Sequence, residues 1–197
     1  MPKPSLRHRI LDAGLKVVLR KGYIGSGVRD IMAEAQAPQG SFTNHFRSKE
    51  AFAREVLDAY FDDLKGVVAG ALGDTSLPPR ERLRRYLDVI TDRLEADGFS
   101  RGCLIGDFSL EAAPISELLR ERLAAIFLEW RSPFAACIAE AQSAGQISTD
   151  FSSVDLADFL LASWEGAILR MKVDRTAEPL ERFKRIAFAT VFKEPNP

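Results

Sequence analysis

The feature that most constrains this chain is the period at which its apolar residues return. From Leu6, the apolar or small positions Leu6, Ile10, Ala13, Gly14, Val17 and Val18 recur in steps of three and four, which puts them on one helix face. The same period runs through Phe52, Val56, Leu57, Phe61 and Leu64, and again through Leu83, Tyr86, Leu87, Ile90 and Leu94. No stretch of any length alternates apolar and polar residues as a half-buried strand would. The expected fold class is all-α.

Punctuation divides the helices. Gly22, after Lys21, suits the left-handed end of the first helix, and Ser26 is a candidate N-cap for a second with Val28, Ile31, Met32 and Ala35 on its core face. Pro38 stands where the first turn of a third helix is expected, with Phe42 and Phe46 sharing one face. Ser48 then caps a longer fourth helix. The few residues between the second and third helices have helix-turn-helix spacing. Further on, 73–79 reads as a loop, and Gly102 and Gly106 interrupt the periodic pattern across 100–112. Helices are expected over about 115–144 with a kink near Pro133, over 153–172, and over the last stretch from 179. The expected domains are a helix-turn-helix domain over 4–64 and a helical bundle over 65–197.

Charge is uneven along this plan. Residues 1–54 hold ten Lys or Arg, Lys3 among them, against four acids, a balance of +6, whereas the whole chain carries −1. Such asymmetry points to a polyanion as the partner of the N-terminal part. Within that part, QGSFTNHFRSKEAF (39–52) has two aromatic rings four residues apart among small, polar and basic residues. The rings read as anchors of a short helix whose other face is offered outward.

Several function classes are disfavoured. No apolar run approaches the roughly 18 residues of a membrane span, and the start has no apolar signal segment, so a cytoplasmic protein away from membranes is expected. Cys103 and Cys137, 34 positions apart, make no disulfide or metal pattern. Neither histidine stands in a ligand cluster, and no nucleophile–base arrangement is apparent, so no cofactor, metal or catalytic residue is expected. An all-helical enzyme and a protein-binding adaptor remain the alternatives, and the basic N-terminal part speaks against the adaptor.

Four fragments, Arg7–Ala13, Lys21–Tyr23, Ser26–Ala35 and Pro38–Phe52, resemble in order and spacing the DNA-binding domain of TetR-type (tetracycline-repressor-like) transcriptional regulators. The match is good at Ser26, Val28, Ile31, Gly40, Phe46, Lys49 and Glu50. It departs at Thr43, where many members have tyrosine, and at Gln36 and Ala37, where many have glycine and valine. The resemblance implies a homodimer that reads palindromic double-stranded operator DNA and is released by a small-molecule effector bound in the C-terminal region.

On that reading, the start of the recognition helix enters the major groove. Gln39, Ser41 and Thr43 have hydrogen-bonding side chains suited to base edges, and Gly40 allows close approach. Ser26, Arg29, Asn44, His45 and Lys49 are the expected phosphate contacts. In the C-terminal region, Cys103, Phe108, Glu111, Phe127, Trp130, Phe134 and Trp164 are the candidate effector-pocket residues, as an apolar site with a few polar groups is the usual form. The last two helices have broad apolar faces, and Phe159, Leu160, Ser163, Ala167, Phe183, Ile186, Ala187 and Thr190 are the expected dimer contacts.

Overall fold

The structure, a computed structural model, describes residues 5–193. Lys3 and position 4, where the first domain was expected to start, lie outside the described residues. Among the described residues there are helices and no strand. The helices are α1 (Leu6–Lys21), α2 (Val28–Glu34), α3 (Lys49–Leu72), α4 (Pro79–Ala96), α5 (Leu104–Glu111), α6 (Glu117–Ser143), α7 (Ser153–Asp174) and α8 (Glu178–Thr190), with a single 3-10 turn at Gln39–Ser41.

Two compact units result. The N-terminal unit takes the described residues up to Asp63 together with Leu104–Ile126; the C-terminal unit takes Leu64–Cys103 with those from Phe127 onward. The N-terminal unit thus recruits a segment that no single boundary along the chain would include.

In the N-terminal unit, the side chain of Ser5 accepts the His8 N–H to open α1. Ile10, Ala13, Gly14, Val17 and Val18 form its buried face, as the period required. Gly14 is a close-approach site, because a Cβ there would overlap the Phe52 ring of α3. Phe52 is also the centre of an aromatic cluster, with its centroid 5.3 Å from that of Phe42 and 4.7 Å from that of Phe46. Ser48 opens α3 as expected, its hydroxyl accepting the Ala51 N–H at 3.0 Å.

Three local expectations are corrected. Ser26 does not cap α2: its hydroxyl donates back to the Gly22 carbonyl, Gly27 takes the cap position, and the Asp30 carboxylate accepts the Gly27 N–H at 3.1 Å. The third helix is not a regular α-helix. It is a 3-10 turn closed by Phe42 N–H to the Gln39 carbonyl (3.2 Å), followed by one turn with Phe46 N–H on the Phe42 carbonyl (2.9 Å). Ser41 and Thr43 hydroxyls donate to the Pro38 and Gly40 carbonyls, at 2.6 and 3.2 Å, which competes with a regular helical ladder. Lastly, 104–111 is helical despite Gly106, because Leu104, Ile105 and Phe108 bury one side of α5.

The C-terminal unit has its own core. Tyr86 of α4 meets Phe134 of α6 edge-on, with centroids 4.8 Å apart, and Trp164 of α7 meets Phe183 of α8 at 5.4 Å. A buried guanidinium, Arg82, donates to the Leu72 carbonyl at 2.8 Å and pairs with Glu140. The Cys137 thiol rests on the Pro79 carbonyl at 3.3 Å, and burial pushes it up to about 11. Pro133 lies inside α6, and α7 ends where Arg175 turns left-handed, with φ 56°.

Truncating Phe52 removes the ring shared by Gly14, Phe42 and Phe46. Phe52→Ala is expected to cost about 3–5 kcal/mol in urea unfolding, in the range for a large buried aromatic, whereas Phe151→Ala, at an exposed position, is expected to stay within about 0.5 kcal/mol.

Candidate nucleic-acid interface

The turn over 39–46 is an exposed polar surface on an aromatic footing. Phe42 and Phe46 are buried, while Gln39, Gly40, Thr43 and Asn44 are exposed and Ser41 and His45 are partly so. The side-chain amides of Gln39 and Asn44 make no hydrogen bond among the described residues. Ser41 and Thr43 direct their hydroxyl protons at their own backbone, which leaves oxygen lone pairs as acceptors.

The turn before it is braced from α1. Gln36 has φ 50°, the left-handed region where the family pattern has glycine. The Arg9 guanidinium donates to the Ala35 carbonyl at 2.7 Å and reaches that of Gln36 at 3.4 Å. Arg7 pairs with Glu55 and lies over the Phe46 ring, 5.2 Å from its centroid. Both arginines therefore stabilise the unit itself.

The expected phosphate contacts divide. Arg29 and Asn44 are exposed and His45 is half-buried. Ser26 is only 2% exposed, with its hydroxyl committed to Gly22. Lys49 donates from Nζ to the Tyr23 carbonyl at 2.7 Å and sits 4.5 Å from the Tyr23 ring centroid. Burial lowers its pKa, and the Glu111 carboxylate works the other way.

Glu111 and Phe108, expected in an effector pocket, belong to the N-terminal unit and touch the loop before α2. The Glu111 carboxylate accepts the Ile24 N–H at 2.8 Å, and Phe108 packs on Tyr23 with centroids 5.4 Å apart. Gly22 presses against that carboxylate with φ 73° and ψ 178°, a conformation essentially reserved for glycine. Beside this contact, Ser116 donates to Glu50. The second segment of the unit thus clamps the loop that leads into α2. Nothing in the local sequence marks the 87-residue separation of Glu111 from Ile24.

The other pocket candidates lie in the C-terminal unit. Cys103, Trp130, Phe134 and Trp164 are buried and Phe127 is partly exposed, its ring 6.3 Å from Trp130. Tyr86, expected only on the apolar face of its helix, joins them. Its hydroxyl is held well above the ordinary tyrosine range, first by burial and then by the nearby Cys103 and Glu165, while the Trp130 indole opposes the shift. Nε1 of Trp130 is buried without a well-formed hydrogen bond. Of the expected dimer residues, Phe159 (48%) and Ile186 (54%) are exposed, as is Thr190; Ser163, Ala167 and Phe183 are partly so; Leu160 and Ala187 are buried in their own unit. Leu169 and Val173 add exposed apolar side chains to α7.

Residues 10–56 match the family described as bacterial regulatory proteins, tetR family, and residues 79–187 match the tetracyclin repressor-like C-terminal domain. The chain belongs to the TetR family. It is a DNA-binding transcriptional regulator of that family, and its N-terminal unit carries the helix-turn-helix. It is 46% identical to the HTH-type transcriptional repressor DhaR of Mycobacterium sp. (strain GP1), over 95% of this chain and 93% of that one. It is 35% identical to the transcriptional regulator AcuR of Cereibacter sphaeroides, over 93% and 84%. A crystal structure of a regulatory protein TetR from Rhodobacter sphaeroides superposes with a TM-score of 0.87 at 34% identity, covering 92% of this chain and 97% of that one. No helix among the described residues of this TetR-family chain is long and apolar enough to cross a membrane.

Gly22→Ala combines a glycine-only backbone with a clash against Glu111. It is expected to destabilise the protein by about 2–4 kcal/mol. Glu111→Gln keeps an acceptor for the Ile24 N–H, and its loss in chemical denaturation is expected to be the smaller of the two.

Proposed function

We propose that this TetR-family chain is a repressor that binds a palindromic operator as a homodimer and leaves it when a small-molecule effector occupies the C-terminal unit. The observation that carries the reading is the exposed polar turn at 39–44 held by buried Phe42 and Phe46. Gly40 supports it: its φ is not positive and a Cβ would meet nothing within 4 Å, so the fold itself makes no demand for glycine. Close approach of an outside surface does.

Gln39, Ser41 and Thr43 then face base edges, with Gln39 able to address adenine through two hydrogen bonds. Arg29, Asn44 and His45 take phosphates, while Ser26 and Lys49 hold the loop that positions them. Apolar exposure at Phe159, Leu169, Val173 and Ile186 supports pairing of α7 and α8 with their copies about a two-fold axis. A palindrome then requires recognition turns about 34–36 Å apart or a multiple of it.

The buried polar groups of Tyr86, Trp130 and Glu165, beside Cys103 and Phe134, support an effector site in the C-terminal unit. Such a ligand lowers operator affinity by binding more tightly to the state that does not hold DNA.

Gel retardation and anisotropy titration against DNA upstream of the chain's own gene test this reading. Salt-dependent, saturable binding by a dimer is expected, and its absence removes the proposal. Arg29→Ala is expected to weaken binding alike on all sequences and lower the salt slope by about 1. Gln39→Ala is expected to erase about 1–3 kcal/mol of preference at one base pair.

A further inference from the structure

A cleft of about 410 Å³ opens in the C-terminal unit, lined by Arg80, Arg84, Glu181, Lys184, Arg185, Phe188 and Ala189. Its charges do not cancel. Lys184, only 5% exposed, holds Asp88 and Glu181 at 2.6 Å each, so those three groups together carry one negative charge. Against them stand three guanidinium groups. Arg80 donates to the carbonyls of Phe188 (2.9 Å) and Phe192 (2.6 Å), which caps the end of α8 with a cation but supplies no carboxylate. Arg84 lies over the Phe188 ring, 4.4 Å from its centroid. Neither Arg84 nor Arg185 has a carboxylate within ion-pair distance among the described residues.

Most other arginines of this unit behave differently. Arg82, Arg85, Arg131, Arg170 and Arg182 each sit on a carboxylate. In a chain whose net charge is −1, two unpaired guanidinium groups over one concavity mark a place for an external anion. Guanidinium forks match the oxygens of phosphate and carboxylate in pairs, and two such forks favour a ligand with at least two negative charges. The volume exceeds what a bare phosphate fills and lies in the range of small-molecule sites.

We infer that this cleft binds a phosphate-bearing small anion, through Arg84 and Arg185, at a place separate from the proposed effector core and from the DNA-reading turn. Successive residues of a helix lie 100° apart. Glu181, Arg185 and Phe188 therefore share a side of α8, and Phe183, Ile186 and Thr190 lie around the opposite side. Pairing through the latter residues leaves the cleft open.

Isothermal titration of the full chain with inorganic pyrophosphate, in magnesium-free buffer of fixed ionic strength, tests the assignment. Saturable binding is expected, at least ten-fold weaker in the Arg84→Ala/Arg185→Ala double variant and unchanged in Arg170→Ala, which removes an exposed arginine of α7 that does not line the cleft. Arg185→Glu, at an exposed position, gives a second reading should loss of the Arg84–Phe188 contact unfold the double variant, and it is expected to abolish binding. Titration with glucose 6-phosphate separates the two sources of the group: comparable affinity identifies a phosphate ester as the ligand class, and binding of pyrophosphate alone identifies the inorganic anion. No saturable heat with either titrant, or equal affinity in wild type and Arg185→Glu, overturns the inference.

Discussion

The packing of Phe42 and Phe46 onto Phe52 is the interaction on which the placement of the 39–44 turn depends. A segment of small and polar residues has little helical ladder of its own, since one 3-10 turn and one further turn close it. Its position is set by burial of two rings rather than by backbone hydrogen bonds. This division separates the two tasks of the segment. Apolar side chains fix where it sits, while the Ser41 and Thr43 hydroxyls brace its backbone and the Gln39 and Asn44 amides make no hydrogen bond among the described residues.

The loop before α2 is governed by a different balance. Tyr23 presents its carbonyl and ring to Lys49, Ile24 presents its N–H to Glu111, and Gly22 takes a backbone conformation closed to other residues. Charged side chains that would be solvated on a simple helical surface are here structural. They are partly desolvated and tied to main-chain groups, an arrangement in which loss of one partner leaves the other unsatisfied.

Much of the fold was legible because helical periodicity and caps are local. The whole of α1, the cap at Ser48, the all-α class and the proline in α6 could be read directly from neighbouring residues. Misread features turned on partners, near or distant, that helical period and cap residues do not specify. Ser26 has the chemistry of a cap, but Gly22 offers it a nearer carbonyl. Gly106 has the look of a break, yet Leu104, Ile105 and Phe108 bury enough surface to hold α5. Lys49 stands at a helix N-terminus, as a phosphate contact would, and its actual partner precedes it by 26 residues. Glu111, a single carboxylate among apolar residues, resembled a pocket group for the same reason. The cations of the α4–α8 cleft were equally silent, because a charged helical position reads as solvated until its neighbours are known.

Recruitment of 104–126 into the N-terminal unit has a practical consequence. The reading head of this regulator is not a modular cassette. A graft of its first 63 residues onto another regulator's body would leave Tyr23 without Phe108 and the Ile24 amide without Glu111, unless the new body offered an aromatic ring and an acid at matching places. A graft that keeps these contacts has to carry 104–126 together with the first 63 residues.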